Sequence, residues 1–182
     1  MHDPGYWAEH RRSTGSLGTS YHRSMPTYRF RAVTIQDLPL VGAWTREAHV
    51  AEWWDGEPFA AEDLDDLRVA MRIVEADGTP FAYLQDYDVH GWDGHHFGHL
   101  PPGSRGLDQF IGEHAMVGRG HGSAFLAQRM DELFDAGAPV LAVDPHPENA
   151  RAIAAFRKVG FRVAGEPRET EWGVVLPMEA RR

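Results

Sequence analysis

The sequence predicts a mixed α/β fold in a single domain, and three observations carry that expectation. Stretches with strand character recur along the chain, at 28–34, 81–89, 107–117 and 140–144. Between and after them lie segments with apolar residues at helical spacing, clearest over 123–136 and 149–159. The chain has 182 residues, 42% hydrophobic with six Trp, enough to bury one full core without staples.

In order, YRFRAVT (28–34) alternates apolar and polar residues as a half-buried strand does. Asp37 is placed to cap a helical stretch, LPLVGAWTREAHV, with Leu38, Val41, Trp44 and Ala48 on one face. AEDLDDLRVAMRIVE (61–75) reads as a second helix, with Leu64, Leu67, Met71 and Val74 at helical spacing. Asp77-Gly78 marks a hairpin turn between short strands, of which Phe81–Val89 is the longer.

HGWDGHHFGHLPPGSRG (90–106) is a long run of turn residues inside a compact domain, and loops of that length are often functional. LDQFIGEHAMV (107–117) reads as a strand running into glycines. A helix follows from Ser123 to Ala136, with Phe125, Leu126, Met130, Leu133 and Phe134 on one stripe and Gly137 as its stop. VLAVD (140–144) is a buried-type strand, and Asn149 opens a helix to Val159, closed by Gly160. FRVAGEP and WGVVLPM supply two last strands.

Residues 1–27 lack the apolar core of a secretory signal. Rich in Gly, Ser, Arg and His, they read as a loosely ordered extension ahead of a domain over 28–182, with Met25 an alternative start. No Cys is present, which excludes disulfides, thiolate metal sites and a thiol nucleophile. The net charge of −9 argues against a nucleic-acid binder and suits a cationic partner, although acidic proteins without such a partner are as common. No apolar run approaches the ~20 residues of a membrane span. A cytoplasmic protein with neither nucleic-acid nor membrane partner is expected, as monomer or homodimer.

VGRGHGSA (117–124) is the chemical centre of the sequence. It lacks the GK[ST] ending of a P-loop and the spacing of a dinucleotide fingerprint. What remains is strand, Gly-x-Gly, helix, a layout that aims the backbone N–H groups of Arg119 to Ala124 at an anion, with Arg119 as a charged helper. A glycine-rich turn chosen only for tight geometry is the alternative.

The succession of strand, VGRGHGS, helix, VLAVD and PENARAIAAFRKVGF resembles the GNAT acetyltransferase superfamily. The resemblance covers roughly 28–178 and implies an α+β fold with a mixed twisted sheet flanked by helices. It implies that the amides of Arg119, Gly120, His121, Gly122, Ser123 and Ala124 hold the pyrophosphate of acetyl-coenzyme A. Asn149 would bond the pantetheine arm, with Phe156 beside it and no metal required. The family's closing [FY]-x-K-x-GF is matched by Phe156, Lys158, Gly160 and Phe161, while Val117 departs from the Gln or Arg of many members.

Three further stretches, HVAEWWDGE (49–57), PPGSRGLDQFIG (101–112) and VDPHPENARAI (143–153), look like the aminoglycoside 6'-N-acetyltransferase branch. A related siderophore-type branch has His where this chain has Asp108. The resemblance implies transfer of acetyl to a primary amine of an aminoglycoside-like polycation, in a ternary complex. Such transfer needs a neutral amine, so Asp108 is the candidate to attract the ammonium and then accept its proton; pairing with Arg105 or capping a turn is its structural alternative. Asp144 would hold a second ammonium or cap the turn before Asn149.

Trp53 and Trp54 offer faces for sugar rings or ammonium groups, with one of the two expected in the core. Gln85, Asp86 and Tyr87 would face the acceptor. Glu52, Asp55 and Glu57 would form an acidic rim or a solvated loop. His90, His95, His96 and His99 match no zinc spacing and read as a solvated loop covering the acceptor. Phe156 stands where relatives carry a Tyr that protonates the departing thiolate. Other acceptors (a siderophore lysine, a polyamine, a peptide) and a non-catalytic acyl-coenzyme A sensor are the rival readings.

Overall fold

The computed structural model describes residues 26–54 and 59–182. Most of the expected extension, and Asp55 and Glu57 of the expected rim, lie outside the described residues. Nine strands and four α-helices follow in the order β1 (Tyr28–Ala32), α1 (Leu38–Trp44), α2 (Ala48–Ala51), β2 (Val69–Ala76), β3 (Thr79–Asp88), β4 (Arg105–Ile111), α3 (His121–Asp135), β5 (Leu141–Val143), α4 (Ala150–Lys158), β6 (Arg162–Val163), β7 (Arg168–Thr170), β8 (Gly173–Val175) and β9 (Met178–Ala180) among the described residues. Seven strands form one sheet in the order β1-β2-β3-β4-β5-β9-β6, and β7 and β8 pair separately. The mixed sheet flanked by helices is the architecture that the resemblance implies.

Residues 69–76 are strand, not the helix read over 61–75; ahead of them Ala61–Asp65 form only a 3-10 turn. Leu67, counted on the helical stripe, is fully exposed. The reason is non-local. Asp77 (φ 50°) and Gly78 (φ 80°) both take left-handed backbone, the requirement of a two-residue hairpin. That turn lays β2 against β3 from Ala76↔Thr79 to Val69↔Tyr87, while β1 takes the other edge of β2. Residues 73–76, buried on both faces of the sheet, show no two-residue period to give the strand away.

The helix read over 38–50 breaks at Thr45–Glu47 into α1 and α2. Asp37 stands at the N-cap of α1 but gives it no side-chain bond: its carboxylate accepts from the Thr34 amide (2.9 Å) and from Arg31 (2.7 and 2.8 Å), closing a 3-10 turn instead. Strand β4 starts two residues before the expected strand and stops at Ile111, with a 3-10 turn at His114–Met116 before the glycines. WGVVLPM splits between β8 and β9, and β7 went unread.

The pleat sorts the sheet's side chains into two packed faces. Val74, Ala82, Leu84 and Leu107 pack against Phe125, Leu126, Met130 and Leu133 of α3 and Ile153 and Phe156 of α4. On the opposite face Ile73 and Tyr83 pack with Val41 and Trp44 of α1. The long loop adds its own apolar cluster, in which Phe97 and Leu100 meet Tyr87, Val89, Val140 and Ala142.

Asp86, expected to face the acceptor with Gln85 and Tyr87, points to the α3 side, because neighbours along a strand alternate. It is 2% exposed and paired with Arg105 (2.8 Å) and Arg129 (2.8 Å), with Arg72 at 3.7 Å. Removing a buried partner leaves its counter-charges unpaired. Asp86→Ala is therefore expected to lower unfolding free energy by about 3–5 kcal/mol, measured by urea denaturation.

Candidate active site

Strands β4 and β5 run parallel but pair only at Arg105↔Leu141 and Gly106↔Ala142. Beyond that point β4 continues to Ile111 bonded on its β3 side, and β5 ends at Val143. The sheet opens there. A cavity of about 790 Å³ enters the opening, lined by five consecutive residues of β4, Leu107 to Ile111. Both pleat faces of one strand line a single cavity only where the strand offers an unpaired edge.

The glycine loop borders this opening through Val117, Gly118, Gly120, Gly122 and Ser123. Gly118 (φ 75°) and Gly120 (φ 86°) take left-handed backbone, with nothing within 4 Å of where a Cβ would stand. Helix α3 begins at His121, two residues earlier than expected, with Gly120 as its N-cap. Its first backbone bond runs from Ala124 to Gly120 (3.1 Å), so the Ala124 amide expected to face an anion is already bonded within the helix. The preceding amides, among them Gly122 and Ser123, have no acceptor inside the helix. The Ser123 hydroxyl donates to Gly120 O (3.1 Å), and Arg119 is exposed on the loop. The His121 ring turns the other way, its Nδ1 2.7 Å from the Tyr28 hydroxyl.

Across the opening, Asn149 is the N-cap of α4: its Oδ1 accepts from Ala152 N at 3.0 Å. Asn149 lines the cavity, as does Phe156, which is buried against Phe161.

Asp108 lies on the floor of the cavity. Register places it directly opposite Gln85, whose Nε2 donates to Asp108 Oδ2 at 2.8 Å. Gln85 Oε1 in turn accepts from the buried Tyr83 hydroxyl at 2.7 Å. Arg105, the alternative partner, belongs to Asp86. Burial, and then the charge of Asp144, push the Asp108 carboxyl up to about 7, against the opposing Gln85 bond. The Tyr83 and Tyr87 hydroxyls are held above their ordinary range by burial and then by Asp108.

Asp144, at the end of β5, does not cap the turn before Asn149. Its Oδ2 lies 2.8 Å from His96 Nε2, without the alignment of a hydrogen bond. Tyr87 is buried, its ring lying across Gly106, where a Cβ would come within 2.2 Å of it. Trp54 packs into an aromatic cluster with Phe59 (6.0 Å), Tyr83 (5.8 Å) and Phe110 (5.0 Å). Trp53 instead meets His146 (5.6 Å) at the cavity wall.

The histidine loop covers the site but is not a solvated strand of turns. His95 is buried, Trp92, His95 and His96 line the cavity, and burial lowers His95 to about 4. Sequence reasoning missed Trp92 and Trp172 altogether. Trp172, in the β7–β8 turn, meets His95 at a tilt, ring centroids 4.8 Å apart, a contact that no local pattern announces. Among the described residues no group of three His, Asp or Glu side chains is arranged to hold a metal, and no helix is long and apolar enough to cross a membrane.

The family model for an acetyltransferase (GNAT) domain matches residues 34–168. The chain belongs to the GNAT acetyltransferase family. Among curated relatives, aminoglycoside N(6')-acetyltransferase type 1 of Klebsiella pneumoniae is 30% identical over 165 residues, 83% of this chain and 82% of the relative. A kanamycin resistance protein of Rhizobium radiobacter is 31% identical over 81 residues, 44% of this chain and 75% of that protein. Among solved structures, AAC(6')-Ib in complex with ribostamycin and coenzyme A superposes with a TM-score of 0.75 at 29% identity, covering 86% of this chain and 94% of that one. Another complex of AAC(6')-Ib holds acetyl-coenzyme A. In this GNAT acetyltransferase the split sheet, the glycine loop and the capped α4 thus converge on one cavity.

Unfolded, an Asp carboxyl titrates near ~3.9; in the folded protein Asp108 does so at about 7. Between those values the folded state holds a proton that the unfolded chain has released. The contribution of Asp108 to stability is therefore full below pH ~4 and is lost as pH rises through the folded value. Asp108→Asn removes that loss. The variant is expected to be more stable than the parent at pH 8, by an amount on the order of 2–4 kcal/mol, and indistinguishable near pH 4, in paired urea denaturations.

Proposed function

We propose that the chain transfers acetyl from acetyl-coenzyme A to the 6'-amino group of an aminoglycoside-type polycation, with Asp108 as general base. The observation that carries this reading is the Asp108 carboxylate, which lines the cavity beside the split between β4 and β5 with the neutral Gln85 amide for its partner. The 30%-identical relatives named as aminoglycoside 6'-N-acetyltransferases support the acceptor.

The cavity fits an extended thioester substrate. Its pyrophosphate would take the helix-terminal amides of Gly120 to Ser123, with Arg119 adding charge from the loop. The amide group of Asn149, its oxygen engaged in the cap, keeps N–H donors for the pantetheine arm. Phe156 gives that arm an apolar wall. The bound substrate supplies an activated acetyl carbonyl, and a backbone N–H on the open edge of β4 polarises it.

The acceptor arrives as an ammonium drawn to Asp108. With a pKa near neutrality, Asp108 is ionised often enough to take the proton and basic enough to want it. The Tyr83–Gln85 chain holds one carboxylate oxygen and leaves the other for the amine. Asp144, Trp53, Trp54 and Tyr87 line the space for the rest of the acceptor. Phe156 has no hydroxyl for the leaving group; a thiol of pKa near ~8.5 departs as the thiolate without one.

Coenzyme A release read with a thiol reagent tests the proposal, and the protein, having no Cys, adds no background. Release is expected with 6'-amino aminoglycosides and not with 6'-hydroxy analogues. Asp108→Asn should lower kcat by ~10²–10⁴-fold. In the parent, kcat/KM should rise with pH through about 7 as Asp108 ionises; a flat profile, or an active Asp108→Asn, defeats the assignment.

A further inference from the structure

We propose that His49 is a positioning residue for acetyl transfer: its imidazole clamps helix α2, and with it the Trp53 wall of the acceptor space, to the open edge of β4. The inference rests on the acetyl-transfer reading above and gives a role to a side chain that the reaction itself does not touch.

The direction of the backbone shows what His49 holds. The Arg105 amide donates to Val140 O on the β5 side (3.0 Å), and the Gly112 amide donates to Phe81 O on the β3 side (2.9 Å). Neighbouring residues of a strand turn their peptide groups to opposite sides, and the register with β3 runs unbroken from Arg105 to Ile111. Ile111, like Arg105, therefore turns its carbonyl toward the side that β5 leaves open. That carbonyl lies beyond the last β4–β5 pair, Gly106↔Ala142. His49 Nε2 stands 2.8 Å from it. A carbonyl only accepts, so Nε2 carries the proton and donates it. A side chain thus fills an acceptor that a neighbouring strand would otherwise fill.

Helix α2 depends on such contacts. It spans Ala48–Ala51, a single turn, and one turn of helix has no stability of its own in water. The preceding helix is fixed at the same strand end: Trp44 Nε1 donates to Glu113 Oε1 at 3.0 Å, and the Trp44 ring lies where a Gly112 Cβ would come within 2.1 Å of it. Within α2, Val50 is buried, and its carbonyl accepts from the Trp53 and Trp54 amides, each at 2.9 Å. Trp54 is held besides by its aromatic cluster, whereas Trp53 meets one ring, His146, among the described residues. From the far side of the split, Arg151 of α4 donates to His49 O at 3.4 Å. His49 therefore spans the opening, tied to β4 by its ring and to α4 by its backbone. Asp108 rides on the same strand as Ile111. The clamp thus refers the acceptor wall and the proton acceptor to one strand, so that an amine resting on Trp53 is aimed at Asp108.

Coenzyme A release by the full chain, with acetyl-coenzyme A and kanamycin, is compared for the parent, His49→Ala and His49→Gln. His49→Ala is expected to lower kcat/KM for kanamycin by about tenfold, the scale of one hydrogen bond, while KM for acetyl-coenzyme A stays within about twofold. Gln, whose Nε2 also donates, should recover most of the loss. Trp53→Ala added to His49→Ala should cost no more than the larger single loss, because both act on one wall. Amide hydrogen exchange over 48–54 should quicken by about tenfold in His49→Ala, with α3 unchanged. Unchanged kcat/KM for kanamycin, losses that multiply, or unchanged exchange overturns the proposal. So does an equal rise in both KM values, the result of a general loss of structure. A parent inert toward kanamycin sinks the aminoglycoside reading, and the exchange over 48–54 then decides the clamp by itself.

Discussion

The parting of β4 from β5 after the Gly106↔Ala142 pair is the constraint on which the rest of the site depends. A closed sheet would bond the edge of β4 to its neighbour and bury it. Here the edge stays open, so a substrate can lie along it and take backbone bonds that another strand would otherwise take. The two strands then carry different loads. β4 delivers Asp108 and runs on toward the glycine loop. β5 delivers Asp144 and turns into the Asn149 cap. The opening therefore sets a loop rich in helix-terminal donors and a pair of carboxylates on one cavity without either being built for the other.

The period-two pleat sends Asp86 and its neighbours Gln85 and Tyr87 to opposite faces of the sheet. Asp86 and Asp88 flank Tyr87, and Asp86 is committed to Arg105 and Arg129 beneath the sheet. Gln85 and Asp108 face the cavity. Asp108, on the opposite face from those guanidinium groups, has the neutral Gln85 amide for its partner. Burial and the charge of Asp144 then raise its pKa without opposition from a cation. One sheet thus holds an ion-paired carboxylate on one face and a carboxylate without a cation on the other.

The loop over 90–104 adds a further wall to the cavity through Trp92, His95 and His96. Phe97 and Leu100 anchor it in a core of their own, which is why His95 and His96 are held against the cavity rather than turned to water. The β7–β8 hairpin leans on it: Arg168 donates to His96 O at 3.0 Å, and Trp172 covers His95. Two segments far apart in sequence thereby form one wall.

Local chemistry was legible in the sequence wherever it depended on neighbours along the chain. The glycines of the loop declared a tight turn ahead of a helix, Asn149 declared a helix start, and Asp77-Gly78 declared a hairpin turn. Each of these needs only a few consecutive residues. Asp108, Trp53 and Trp54 were found through motifs for the same reason. The sequence did not reveal β2, whose residues 73–76 are buried on both faces and carry no period to separate strand from helix. Nor did it show that Asp86 and Gln85 part company, that Ala124 bonds back into its own helix, or that His96 takes Asp144. Those outcomes are settled by register, by the turn at which α3 begins and by contacts between distant segments, and long-range pairing leaves no local trace in the residues that take part.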